Sequence, residues 1–141
     1  MAPPAPYNPA GNTDPNALGV AADRLGSNGA KLAKTAIAIA SAQIAEGDVV
    51  EAVVAGKLEG NGAVLVLSGQ GLLLVDDRRW RPVVERIVVE PGLTVEGWQD
   101  DRTASLTLRS GGRQLLLDQI PDRPLAVEMA QRIRYRTGEG S

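Results

Sequence analysis

Asp76-Asp77-Arg78-Arg79-Trp80-Arg81 is the densest run of charged and aromatic side chains in the chain. Arginine and tryptophan are the residues that protein interfaces use as anchors, because each joins a large flat surface to N–H donors. The guanidinium groups of Arg78, Arg79 and Arg81 also suit an anionic group. Against this stands a solvated loop with local Asp–Arg pairs, each worth about 0–1 kcal/mol. Arg132, Arg134, Tyr135 and Arg136 form a second basic group. It falls near the end of a predicted helix, where cations complement the negative end of the helix dipole. Asp100 and Asp101, with Glu96 and Asp118 as possible neighbours, are the one carboxylate grouping with a spacing suited to acid–base or metal chemistry. Adjacent aspartates in a turn ordinarily just face water, and that is the reading adopted.

The chemistry that is missing narrows the function further. The chain has no cysteine and no histidine. Nucleophilic triads, thiol chemistry and the commonest metal ligands are therefore absent. The glycines lie in neither the G-x-x-x-x-G-K-[ST] nor the G-x-G-x-x-G context. A non-enzyme with no cofactor, no metal and no small-molecule substrate is expected. A net charge of −2 gives no general attraction to nucleic acid, and makes binding to anionic membrane lipid weak. No stretch reaches the roughly 18 apolar residues of a membrane span. The run Ala36–Ala45 is read as a soluble helix, and a cytoplasmic location is expected.

The elements that must position these side chains follow from period and punctuation. Residues 1–16 hold five prolines and read as a disordered tail. Residues 17–25 read as a short helix stopped by Gly26-Ser27-Asn28-Gly29. A second helix spans about Ala30–Ala45 and is stopped by Glu46-Gly47-Asp48. Its stripe of Ala33, Ile37, Ala40 and Ile44 is widened by Leu32, Ala36 and Ile39. From Val49 the pattern is strand-like. The expected strands are Val49–Leu58, Ala63–Ser68, Leu72–Val75, Val83–Val89, Leu93–Trp98, Thr103–Arg109 and Gln114–Leu117, separated by Gly- and Asp-rich turns. The sixth alternates cleanly, with Ala104, Leu106 and Leu108 opposite Thr103, Ser105, Thr107 and Arg109, so one face is buried and one wet. A final helix follows, with Asp122 as its cap, Pro124 in its first turn and Leu125, Met129 and Ile133 as its inward stripe.

Seven short antiparallel strands closed by a C-terminal amphipathic helix is the layout of the pleckstrin-homology (PH) fold. EGDVVEAVVAGKLEGNGAVLVLSGQGLLLVDD and WRPVVERIVVEPGLTVEG resemble bacterial PH-like domains over Glu46 to Arg136. The resemblance implies a mainly β (α+β) PH-like barrel, plugged by the last helix and carrying an extra N-terminal helix. The division is then residues 1–16 tail, 17–46 helical segment, 47–137 PH-like domain and 138–141 tail. Lys57-Leu58-Glu59-Gly60-Asn61-Gly62, in the hairpin where lipid-binding members concentrate bases, offers one base and one acid. Gln70-Gly71 stands where bacterial relatives often carry Arg-Arg. Both departures argue against tight phosphoinositide recognition. The function expected is a protein-interaction or self-assembly module, an adaptor whose binding residues are Arg78, Arg79, Trp80 and Arg81 and whose interface stripe is Ala33, Ile37, Ala40 and Ile44. The alternatives are a peripheral binder of anionic lipid using Arg78, Arg79, Arg81 and Lys57, and a carboxylate enzyme. The helical stripe is too apolar for water, and docks either on its own barrel or on a second copy. A barrel already plugged at its end favours the second copy.

Overall fold

The computed structural model describes residues 24–45, 47–78 and 82–138. The Pro-rich tail, most of the expected first helix, Glu46, Arg79, Trp80, Arg81 and the last three residues lie outside them. The elements run α1 (Ser27–Leu32), α2 (Lys34–Gln43), β1 (Val50–Leu58), β2 (Asn61–Ser68), β3 (Gly71–Asp76), β4 (Val83–Ile87), β5 (Thr94–Gln99), β6 (Ala104–Ser110), β7 (Arg113–Ile120) and α3 (Arg123–Thr137). All the strand pairs are antiparallel, in the order β4-β3-β2-β1-β7-β6-β5.

The sheet is not closed into the expected barrel. β4 and β5 are both edges. The sheet nevertheless curls strongly, since Glu85 of β4 forms an ion pair with Arg113 of β7 although three strands separate them. The bend sits where β1 meets β7, at Lys57 opposite Asp118. Gly56 makes it possible. A side chain's first carbon there would lie 2.6 Å from the Asp118 carbonyl oxygen and 2.9 Å from Ile120 Cγ1. Leu65, Leu72, Leu93, Leu106, Ile120 and Met129 then share one aliphatic core.

β6 is buried on one face and wet on the other, as its alternation predicts. β2 from Ala63 onward and all of β3 are buried on both faces. Their outer face carries Val64, Val66, Leu73 and Val75, and the N-terminal helices cover it. α1 packs on β1, and α2 packs on β2 and β3. Strands covered on both sides read as continuous apolar runs, and VLVL and LLLV are such runs.

The helical stripe is therefore used within the chain. Ala33, Ala36, Ala40 and Ile44 are buried, and Ile37 and Ile39 pack half-buried against the same core. Of the two docking surfaces expected for it, the stripe meets its own chain's, because a bare apolar sheet face lies beside the helix rather than at the plugged end. Ile37→Asp is expected to lower the melting midpoint and leave particle size unchanged. Thermal circular dichroism with light scattering checks this, and a smaller particle at an unchanged midpoint would contradict it.

Two helix boundaries also differ from expectation. The helix expected before Gly26 lies almost wholly outside the described residues; Gly26 caps and Ser27-Asn28-Gly29 opens α1, which the sequence pattern placed from about Ala30. The reason is a partner 96 residues away: the Gly26 N–H donates to Asp122 Oδ1 at 3.1 Å. Gly29 leaves room for the same carboxylate, which would lie 2.4 Å from a side chain's first carbon. Asp122 stands at the N-cap position of α3 but makes no side-chain cap bond there. Its carboxylate is spent on α1. The second helix is broken at Ala33 and ends at Gln43. Gly47, at φ 84°, turns the chain into β1.

Candidate functional site

Among the sequence-derived candidates, Arg78 is the one member of its group within the described residues. It is not a free cation. Its Nε donates to Asp76 Oδ2 at 2.7 Å, and Nη2 pairs with Glu59. The hydrogen bond and charge of Asp76, then of Glu59, hold its pKa above the ordinary arginine value. Asp76 is fully buried, and its Oδ1 has no hydrogen-bond partner among the described residues. Arg78 thus serves first as counter-ion to a buried carboxylate.

The second basic group is also committed internally. Arg136 donates to Glu51 at 3.0 Å and to the Ser68 and Gly69 carbonyls, tying the end of α3 to the β2–β3 turn. Arg132 lies between Glu51 and Glu128. Arg78 and Arg136 do not meet. Arg136 is at the Ser68 end of the β2–β3 hairpin and Arg78 just past the other end, about 17 Å away at roughly 3.4 Å per residue.

The carboxylates are dispersed in the same way. Asp100 Oδ1 accepts the Arg102 and Thr103 N–H groups, each at 2.7 Å, and these bonds lower its pKa, the Thr103 bond most. It stays ionised below the ordinary aspartate value, and the turn loses that support only as pH falls through the lowered pKa. Glu96 pairs with Arg109. Among the described residues, no three acidic side chains converge as a metal site.

An apolar-floored groove lies elsewhere, between edge strand β5 and helix α3. α3 runs antiparallel to β5, with Arg123 donating to the Asp100 carbonyl at one end and Arg134 to the Val95 carbonyl at the other. Leu106, Ala104, Ala126 and Ala130 form an apolar floor, and the space holds about 190 Å3. At its margins lie Trp98, 61 % exposed on the outer face of β5, and on α3 Val127 at 40 % and, two turns on, Tyr135 at 76 %. Strand parity leaves the β5 edge open. The Asp100 N–H points at β6 through Thr103, whereas the Val95 carbonyl points away toward Arg134. The peptide groups of Gly97 and Gln99 share the outward parity of Val95.

No family model matches the chain, and no curated protein or solved structure matches it. The groove is thus read from its own geometry.

Sequence reasoning missed this site, although part of it was signalled. Thr94 and Glu96 mark the wet face of β5, and period two places Trp98 on that face. Tryptophan is among the residues most enriched at interface hot spots. The remaining wall comes from small residues on three separate elements, and no local pattern announces their meeting.

Proposed function

We propose that the chain is a non-catalytic protein-interaction module of PH-like fold that takes an extended segment of a partner along the β5 edge, beside α3. The observation that carries this is the unpaired β5 edge, where Gly97 faces the apolar groove beside α3 and Trp98, 61 % exposed, stands on the strand's outer face at the groove's margin. Adding a strand to an open edge is a standard route to peptide affinity, with main-chain bonds giving strength and alternate pockets giving selectivity. The PH-like label is supported by the strand order, the bend at the β1–β7 corner and the helix that follows β7 to cover the core.

The test is a displayed peptide library panned on the protein, with the selected peptides measured against Trp98→Ala by calorimetry. A loss of about tenfold or more, roughly 1.4 kcal/mol, is expected with the melting midpoint unchanged. Selected peptides that bind the variant equally would defeat the groove reading.

The lipid alternative rests on Arg78, Arg79, Arg81 and Lys57. Arg78 already faces two carboxylates, and Lys57 lies opposite Gly62 and Asp118. Binding to anionic vesicles is expected to be weak and lost at physiological salt, where exposed charges are screened beyond about 8 Å. Co-sedimentation with phosphoinositide vesicles checks this. Micromolar binding at that salt would reverse the preference between the two readings.

A further inference from the structure

We infer that the partner segment carries one bulky apolar side chain, of Phe or Leu size, with a carboxylate two positions away. This rests on the groove reading above and names what the groove selects.

The first half of the inference comes from Gly97. A glycine inside a strand weakens it, and commonly marks a place where a ligand or another backbone approaches. Nothing among the described residues demands glycine there. Gly97 is not among the residues of positive φ, and a first side-chain carbon would meet only Leu106 Cδ2, at 3.7 Å. That contrasts with Gly56, where the chain's own backbone fills the space. The missing side chain therefore leaves open volume. Ala104 of β6 and Ala126 and Ala130 of α3 enlarge it, producing the 190 Å3 notch floored by Leu106. An apolar cavity of about 150 Å3 accepts a benzene ring. The notch fits one large side chain and not two. Its floor of Leu106, Ala104, Ala126 and Ala130 offers no polar side chain to bond, so the side chain seated on it is apolar.

The second half comes from Arg134, the only charged side chain among the described residues that line the groove. One N–H, on Nη2, donates to the Val95 carbonyl at 3.1 Å, which holds the guanidinium over the start of β5. A guanidinium has five N–H donors in a planar fork that matches a carboxylate. Val95 and Gly97 are two residues apart, about 7 Å along a strand. In an added strand, side chains two positions apart share a face and have the same separation. A side chain seated at Gly97 thus brings the residue two positions away to Arg134.

The test is the sequence content of peptides selected from a displayed random library by the full chain. Enrichment of a bulky apolar residue two positions from Asp or Glu is expected. Gly97→Val fills the notch in a conformation valine adopts freely. It should weaken the enriched peptides at least tenfold, with the β signal and melting midpoint retained. Arg134→Gln should abolish the discrimination between a Glu peptide and its Gln counterpart, a readout that a merely structural role for Arg134 would leave intact. If binding requires Trp98 but the enriched peptides lack the pair, or if Gly97→Val binds as the parent does, this inference is overturned while the groove reading stands. If no selected peptide depends on Trp98, both fall.

Discussion

Met129→Ala is expected to destabilise the protein by about 2–5 kcal/mol. The Met129 side chain is fully buried on α3, between Leu125 and Ile133 of the same inward stripe. α3 packs simultaneously on β1, β5 and β6. Closing the cavity left by alanine would require the helix to sink toward one of these strands and away from the others. Relaxation is thus poor, and cavity cost is largest where relaxation is poor. Urea unfolding followed by circular dichroism measures the difference, with the slope expected to stay constant. A loss below about 1 kcal/mol would mean that α3 lies loosely on the sheet, in conflict with the packing described.

Gly56→Ala should have a comparable effect from the smallest possible addition. The new methyl would stand 2.6 Å from the Asp118 carbonyl oxygen, 2.9 Å from Ile120 Cγ1 and 3.1 Å from Leu117 Cγ. The nearest obstacle is backbone and cannot rotate away. Overpacking typically costs about 1–3 kcal/mol, and the upper end is expected here because β1 and β7 must separate where the sheet bends. Gly97→Ala supplies the contrast. The same methyl at that position meets only a side-chain tip at 3.7 Å and should be neutral or mildly stabilising. Equal melting midpoints for the two variants would remove the structural basis given for the bend.

Much of the strand architecture was legible in the sequence, because turns punctuate it and each strand's burial leaves a signature. β6 shows alternation, and the VLVL and LLLV runs of β2 and β3 show burial on two faces. The second signature carried more than was drawn from it. Two-sided burial requires a cover, and the Ala/Ile stripe upstream was that cover. Local signals failed where a distant residue took over. Gly26 and Gly29 have the composition of a helix stop, yet Asp122, adjacent in space only through the fold, makes them a helix start. The Arg78–Asp76 pair, two residues apart, was among the local Asp–Arg pairs the sequence offered, whereas Arg136 is fastened to Glu51 and to the Ser68 carbonyl, which only the fold brings to it. The groove was the least legible feature. Its defining property is the absence of side-chain volume at Gly97, Ala104, Ala126 and Ala130, and small residues carry little periodic signal.

The N-terminal helices have a consequence for how the protein is made. α1 and α2 leave the ribosome before the surface they cover has been synthesised. Thirty-three residues separate Gln43 from Asp76 at the end of β3. At roughly 5–20 residues per second, the nascent helices wait about 2–7 s for their sheet. Helices this short are marginal on their own, so the Ala/Ile stripe emerges as a nearly unstructured apolar peptide. The Asp122 carboxylate that opens α1 arrives later still, after β7. These early-translated helices are thus among the last elements to acquire their structure, and the nascent chain presents a hydrophobic stretch to chaperones until β3 has emerged.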